Sequence, residues 1–217
     1  GLRCPEDAAL LSAADEILAA NGLRDADLAR VRITLSSPAD GSESWWVEAT
    51  PPPPHPPEAA VVTGPFVRNE RSPLAGLKTV NYGENIVALR AAREAGADEA
   101  LFQNTRGELC EGTWSNVFVR VADRWLTPPL DSGCLPGITR QLVIALFREL
   151  GIGIEESTLL IDEVNRVESG FLTSSLREIQ PISTLDGRTL LAAPEIRALQ
   201  ASYRQTRSGT FPSPAQS

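Results

Sequence analysis

The amino-acid sequence predicts an α+β protein built in two parts. Amphipathic helical patterns alternate with short apolar runs along the 217-residue chain, and turn signals separate them. Charge and proline cluster around residues 65–73, between two differently patterned regions. We therefore expect a small domain at residues 1–66, a linker at residues 67–74 and a larger domain at residues 75–217.

The first region opens with a helical pattern at residues 5–20, whose apolar side chains recur at helical spacing before the stop signal Asn21-Gly22. The proline-rich run at residues 51–57 predicts a stiff extended connector. Strands are expected on either side of this connector, at residues 28–36, 44–49 and 59–63.

The second region mixes two helical patterns, at residues 85–95 and 137–150, with strands. Residues 105–108 form a hairpin turn signal. The expected strands, several of them antiparallel, cover residues 99–104, 109–121, 124–127, 152–159 and 170–174.

Composition narrows the kind of partner. The formal net charge of −8 argues against nucleic acid or an anionic membrane surface, so we expect a small-molecule substrate. No apolar run reaches the length of a membrane span. Three cysteines without Cys-x-x-Cys spacing predict neither a zinc site nor a disulfide framework, which suits the cytoplasm, and we expect no metal.

Lys78 is the only lysine in the chain. Arginine fills the other basic positions, yet arginine cannot lose its proton and attack a carbonyl as an ε-amine can. The position therefore suggests a Schiff-base lysine. The alternative is one remaining surface lysine.

Three further segments suit a phosphorylated aldehyde cofactor. Glu111 stands beside a glycine before a strand, where a carboxylate can pair with a protonated ring nitrogen. The loop at residues 133–140 runs into a helix whose free N–H groups favour phosphate. Hydroxyl groups at residues 173–175 follow a strand. The alternatives are a solvated acid, an ordinary helix cap and an ordinary strand end.

Four motifs in this order resemble one family: Gly-Leu-Lys-Thr, Glu-Gly-Thr-x-Ser-Asn-Val-Phe, Leu-Pro-Gly-Ile-Thr-Arg and Thr-Ser-Ser. They are similar to the class IV aminotransferases, which are fold-type IV pyridoxal phosphate enzymes, over residues 74–187. The resemblance implies pyridoxal 5'-phosphate, a homodimer, a small N-terminal α/β domain and a larger domain of mainly antiparallel strands. Because the chain opens at Gly1 and has no methionine, we expect a preceding segment with a phosphate-binding arginine.

The resemblance also implies residue roles. Lys78 would form the Schiff base and carry the proton, Glu111 would bind the pyridine nitrogen, and Leu135 would pack against the ring. The phosphate would be held by Gly137, Ile138, Thr139 and Thr173.

Four further positions match less closely. Arg71, seven residues before the lysine, and Tyr82 are candidates for contact with the phenolic oxygen, and a packed tyrosine at a helix start is the alternative for Tyr82. Trp114 and Ser174 are candidates on the substrate side, although the indole of Trp114 can instead pack outward.

The expected reaction follows from the same motifs. Ser115-Asn116 after Glu-Gly resembles the 4-amino-4-deoxychorismate lyase and D-amino-acid branches more than the branched-chain one. We therefore favour a lyase that releases pyruvate and gives 4-aminobenzoate, in folate biosynthesis. D-amino-acid or branched-chain transamination is the alternative, and an inactive binding or assembly homologue is the alternative of another class.

Overall fold

The computed structural model describes residues 3–37 and 42–208, so the expected domain limits at residues 1 and 217 lie outside the described residues. The chain divides into two compact units, residues 1–55 and 56–217. The division falls within the proline-rich run, earlier in the chain than expected. Proline cannot donate a backbone hydrogen bond, which keeps such a run out of a sheet.

The first unit is a helix and a two-stranded sheet. Helix α1 (Asp7–Ala20) precedes strands β1 (Arg30–Ser36) and β2 (Ser44–Thr50), which pair antiparallel over their whole length. Asn21 ends α1, and its Nδ2 donates a 2.7 Å hydrogen bond to the carbonyl oxygen of Ala49. This bond ties the end of α1 to β2.

The second unit is built on one sheet. Among the described residues it has nine strands, in the order β5-β4-β3-β10-β9-β6-β7-β8, with β11 paired to β10. Most of these pairs are antiparallel, which confirms the expected α+β class. The strands are β3 (Ala59–Arg68), β4 (Glu99–Asn104), β5 (Leu109–Gly112), β6 (Asn116–Val121), β7 (Arg124–Thr127), β8 (Ile154–Glu156), β9 (Ser169–Ser174), β10 (Glu178–Leu185) and β11 (Arg188–Thr189).

Three helices cover this sheet: α2 (Gly83–Glu94), α3 (Ile138–Glu149) and α4 (Pro194–Ser208). Aromatic side chains join α3 to the sheet, with Phe147 of α3 packed among Phe118, Trp125 and Phe171. Within the described residues, no helix is both long enough and apolar enough to cross a bilayer.

Strand β3 differs most from expectation. It was expected to end at residue 63 in the smaller domain, but it continues to Arg68 and pairs in parallel with both β4 and β10. These two neighbours place it inside the larger unit. Its last residues carry the chain to the edge of a cavity.

Candidate active site

A cavity of about 650 Å³ lies in the second unit, where several loops meet. Its wall is formed by the loop between β3 and α2, the turn between β5 and β6, the loop before α3 and the end of β9. Ten of the expected site residues contribute to this wall: Lys78, Tyr82, Glu111, Trp114, Leu135, Gly137, Ile138, Thr139, Thr173 and Ser174.

Lys78 lies on the loop before α2, with an exposed side chain. Its Nζ donates a 2.8 Å hydrogen bond to the hydroxyl oxygen of Tyr82, the residue directly before α2. The ring of Tyr82 in turn stacks on the indole of Trp114, with centroids 4.9 Å apart. The amine is therefore held from one side by an aromatic pair.

Glu111 presents its carboxylate from β5, and the side chain is 12% exposed. Its Oε2 accepts a 2.9 Å hydrogen bond from the N–H of Leu135, and its Oε1 lies 3.4 Å from Nε of Arg68. Burial raises the pKa of Glu111, while the Leu135 N–H and the charges of Arg68 and Lys78 act in the opposite direction. A negative charge at this point therefore depends on its neighbours.

Arg68 is a site residue that the sequence patterns did not indicate. It ends β3, and its guanidinium carbon lies 4.4 Å from the ring centroid of Phe102. Its Nη1 lies 3.2 Å from Glu84 and its Nη2 donates a 3.2 Å hydrogen bond to Asn85. Arg68 therefore joins α2 to Glu111 through a half-buried cation.

The loop before α3 is fixed by Asn116. Its Nδ2 donates a 2.8 Å hydrogen bond to the carbonyl oxygen of Leu135, opposite the bond from Leu135 to Glu111. A Cβ atom on Gly137 would collide with Oδ1 of Asn116, so only glycine allows this close approach.

The start of α3 offers N–H groups to an anion. None of the described side chains caps this helix at Gly137. The first N–H groups of an α-helix have no carbonyl partner within it, and the first two residues of α3, Ile138 and Thr139, line the cavity.

Thr173, near the end of β9, has a hydroxyl group that is paired with nothing in the described part of the chain. The residue is 1% exposed, its Oγ1 lacks a hydrogen-bond partner there, and it lines the cavity. A buried hydroxyl without a partner is costly, so this atom suits a ligand oxygen. Ser174 follows it on the same wall.

Arg71 has a different position. Its side chain is 83% exposed, with Nε 3.8 Å from Oε1 of Glu70, and the described cavity wall does not include it. Backbone hydrogen bonds shape the loop after β3, among them the 3.0 Å bond from the N–H of Ser72 to the carbonyl oxygen of Asn69.

Comparison with known proteins gives this cavity its context. The family model for amino-transferase class IV matches residues 3–185. The chain belongs to this family. The family is pyridoxal-phosphate-dependent.

Two curated relatives are aminotransferases. The branched-chain-amino-acid aminotransferase of Pseudomonas aeruginosa is 34% identical over 59% of this chain and 42% of its own length. The D-alanine aminotransferase of Bacillus licheniformis is 35% identical over 52% of this chain and 40% of its own length. The matched stretch thus spans less than half of either curated relative.

Solved structures extend the match. A provisionally assigned 4-amino-4-deoxychorismate lyase from Legionella pneumophila is 27% identical, with a TM-score of 0.81 over 88% of this chain and 73% of that one. The branched-chain aminotransferase of Thermobaculum terrenum in its PLP form is also 27% identical, with a TM-score of 0.75 over 88% of this chain and 67% of that one. The expected fold type is confirmed.

The residues of this chain fit the cofactor of the family. The free N–H groups at the start of α3 and the unpartnered hydroxyl of Thr173 suit a phosphate. Lys78 supplies an amine on the same wall, and Glu111 supplies a carboxylate. The cavity therefore offers an amine, a carboxylate and anion-binding groups, all of which suit pyridoxal phosphate.

Proposed function

We propose that this chain binds pyridoxal phosphate through Lys78 and performs amino-group chemistry on a small polar substrate. One observation carries the proposal: the only lysine of the sequence shares a cavity with a buried carboxylate and with a buried hydroxyl for which the described residues provide no hydrogen-bond partner. If Lys78 were an ordinary surface residue, we would not expect the single lysine of the chain to lie on the wall of this cavity.

Each residue has a distinct task in this proposal. Bound pyridoxal phosphate supplies the electron sink. Lys78 would hold the cofactor through its aldehyde carbon, and its amine would accept a proton from the substrate and return it. Glu111 provides negative charge at the ring nitrogen, and Arg68, 3.4 Å away, helps to keep that carboxylate ionised.

The phosphate has its own binding group in the proposal. The N–H groups of Ile138 and Thr139 at the start of α3, and the Thr173 hydroxyl on β9, would donate hydrogen bonds to it. Leu135, held in place by Glu111 and Asn116, would pack against the ring.

The proposed reaction is that of a 4-amino-4-deoxychorismate lyase, which divides its substrate into 4-aminobenzoate and pyruvate. Two observations support it: the likeness to the Legionella pneumophila structure and a cavity wall rich in hydroxyl and amide groups. Such a wall suits a substrate with several oxygen atoms better than a leucine side chain. The polar side chains include Ser72, Thr79, Asn81, Ser174 and Ser175.

A transaminase is the second candidate, favoured by the two curated aminotransferases at 34% and 35% identity. In that case the amino group passes to a 2-oxo acid in a ping-pong cycle. The same Lys78 and Glu111 serve both reactions, so the difference lies in the substrate and not in the cofactor site.

The proposal includes a homodimer, as the family resemblance implies, and a cytoplasmic location, which suits three cysteines without disulfide spacing. Light scattering coupled to size-exclusion chromatography measures the assembly directly. A mass of 23.3 kDa would mean a monomer, and twice that mass a dimer.

The test begins with the cofactor bond. The protein and its Lys78→Ala variant are incubated with pyridoxal phosphate, reduced with borohydride and mapped by peptide mass spectrometry. We expect a visible absorption band and a cofactor mass on the peptide that carries Lys78, and neither in the variant. Absence of both from the wild-type chain would overturn the proposal in favour of an inactive binding homologue.

The substrate is then identified from its products. Aminodeoxychorismate is followed by the fluorescence of 4-aminobenzoate and by enzymatic detection of pyruvate. D-alanine and L-leucine, each with 2-oxoglutarate, are followed by glutamate formation. Pyruvate and 4-aminobenzoate in equal amounts support the lyase, whereas glutamate formation alone replaces it with the transaminase.

A further inference from the structure

Three side chains form a row along one wall of the cavity. The Nζ of Lys78 donates to the Tyr82 hydroxyl oxygen at 2.8 Å and lies 5.4 Å from the centroid of the Tyr82 ring. The indole of Trp114 stacks on the Tyr82 ring, and the two ring planes are parallel within 9°. The stack and the hydrogen bond thus link Trp114 to the Lys78 amine through Tyr82.

Trp114 stands on a rigid turn. Glu99, which is fully buried, lies beneath the turn and accepts a 2.9 Å hydrogen bond from the Thr113 N–H and a 3.1 Å bond from the Ser115 hydroxyl. Arg177 neutralises this carboxylate, with Nη1 3.1 Å from Oε2. The backbone on both sides of the indole is thus fixed by one buried ion pair.

The turn is also fixed against α2. Nδ2 of Asn85 donates a buried 2.6 Å hydrogen bond to the carbonyl oxygen of Thr113. Asn85 lies one turn into the helix that begins after Tyr82. Because this bond joins the support of Trp114 to the support of Tyr82, the two rings meet face to face without depending on the cofactor.

We propose that Trp114 is a positioning residue: by stacking on Tyr82 it holds the phenol oxygen against Lys78 and so sets how freely this amine reacts. The inference rests on the proposed role of Lys78 as the cofactor lysine. It assigns Trp114 a task within the protein, in place of direct contact with substrate. Trp114 is 44% exposed. The competing explanation is that its indole shields the Lys78 amine directly from reagents in solution, without acting through Tyr82.

The single lysine makes the proposal measurable without cofactor. Formaldehyde and cyanoborohydride methylate the Lys78 amine of the cofactor-free protein, and peptide mass spectrometry separates that product from the modified N-terminus. We compare wild type with Tyr82→Phe, Trp114→Ala, Trp114→Phe and the double variant Tyr82→Phe/Trp114→Ala. Circular dichroism selects the variants that keep the fold, and Trp46→Ala, at an exposed tryptophan of β2, is the matched control.

The proposal predicts a pattern of rates. Loss of the phenol oxygen in Tyr82→Phe frees the amine and speeds methylation by about three- to tenfold, the range that one aromatic or hydrogen-bonded contact accounts for. Trp114→Ala gives the same increase, Trp114→Phe stays near wild type because it retains a stacked ring, and the double variant is no faster than Tyr82→Phe. Trp46→Ala leaves the rate unchanged.

Two outcomes would overturn it. A wild-type rate in a folded Trp114→Ala protein would show that Tyr82 holds the amine unaided. A further increase in the double variant over Tyr82→Phe would show that Trp114 screens Lys78 directly. Since methylation involves no cofactor, either result is separate from failure to form the borohydride-stable cofactor bond, which would instead count against the proposed function.

Discussion

The hydroxyl group of Thr173 illustrates how a binding site reduces the stability of the chain that carries it. The group is buried, and the described residues offer its oxygen no hydrogen bond. An unsatisfied buried polar group costs about 1–3 kcal/mol, which a ligand can recover. Removal of this oxygen should therefore increase the unfolding free energy of the cofactor-free protein and decrease its affinity for the cofactor.

Thr173→Val tests this opposition. We expect the cofactor-free protein to become about 1 kcal/mol more stable in urea unfolding, because a methyl group replaces an unpaired hydroxyl of the same shape. We also expect cofactor affinity to fall by about tenfold or more, the loss of one hydrogen bond to a charged group. Spectrophotometric titration with pyridoxal phosphate measures the second quantity.

Thr127 provides the matched control. It is also 1% exposed, but its Oγ1 donates a 2.8 Å hydrogen bond to the carbonyl oxygen of Val117. Thr127→Val should therefore lose about 1 kcal/mol of stability and keep its cofactor affinity. Unchanged affinity in Thr173→Val would remove this residue from the phosphate site.

Glu111→Gln separates charge from shape at the ring-nitrogen position. The amide retains an oxygen for the Leu135 N–H, yet it leaves Arg68 without a carboxylate at 3.4 Å and removes the proposed partner of the ring nitrogen. We expect kcat to fall by about 10²–10³-fold, as for loss of one preorganised electrostatic group. Steady-state kinetics with the substrate identified above gives the value.

Glu108→Gln is the control for charge alone. Glu108 lies on the neighbouring turn, pairs with Arg106 at 2.6 Å and is not among the residues that line the cavity in the described chain. Its kcat should stay within about twofold of wild type, as for an ordinary substitution away from a site. Equal losses in both variants would mean that net charge, and not the position of Glu111, governs the rate.

At the scale of elements, the start of α3 depends on one close contact. Gly137→Ala adds a Cβ that collides with Oδ1 of Asn116, which itself holds the Leu135 carbonyl. We expect the helix start to shift, at a cost of about 1–3 kcal/mol in unfolding free energy and with much weaker cofactor binding. Urea unfolding and cofactor titration measure the two effects.

The other end of α3 offers a comparison. A Cβ on Gly153 meets nothing within 4 Å among the described residues. Gly153→Ala should therefore be neutral or slightly stabilising, since alanine restricts the unfolded chain. If both variants bind cofactor alike, the phosphate does not rest on the start of α3.

Local patterns predicted the elements on which the site is built, and they did so for physical reasons. Helix α3 has a continuous apolar face between Gly137 and Gly151, and Lys78 was conspicuous because it is the only lysine. The sequence patterns did not indicate Arg68, because the pairing of β3 with β4 and of β4 with β5 is what brings it close to its partner Glu111. Such long-range strand pairing cannot be predicted from a local pattern of apolar and polar residues.

The same limit applies to whole strands. Strand β10 contains Pro181, which is unfavourable inside a sheet, and so its sequence gave no strand signal. Its parallel pairing with β3 is nevertheless what places β3 in the larger unit. The expected boundary after residue 66 relied on charge and proline, whereas the structural division follows this long-range pairing.

Acid stability is a property of the whole chain to which several carboxylates contribute, among them Glu70 and Glu108, whose pKa values are both lowered. Glu70 follows β3, and its side chain is 3% exposed. Its carboxylate accepts hydrogen bonds from the Thr105 N–H at 3.0 Å and from the Thr105 hydroxyl at 2.7 Å. Nη1 of Arg106 lies 3.4 Å away. These contacts, led by the Thr105 hydroxyl, lower the pKa of Glu70 from 4.5 to about 2.

The sign of the pH effect follows from this shift. Because the unfolded chain holds its proton at higher pH than the folded one, the stabilisation by Glu70 is complete above about pH 4.5 and is lost as pH falls toward 2. Glu111 acts in the opposite direction and at higher pH, because burial raises the pKa of that group above 4.5 in the folded chain; its effect is complete once pH has fallen to about 4.5. We expect the unfolding free energy of wild type to decrease steadily over this window, as measured by urea unfolding.

Glu70→Gln should flatten that dependence, since the variant has no proton to gain at this position. Glu94→Gln is the control, because Glu94 forms a pair with Arg90 on the surface of α2 in which both side chains are mostly exposed; its pH slope should match wild type. A Glu70→Gln protein with the wild-type slope would place the acid sensitivity elsewhere. A flattened slope would instead show that one carboxylate, joining the loop after β3 to the β4–β5 hairpin, couples acid stability to the segment that carries Lys78.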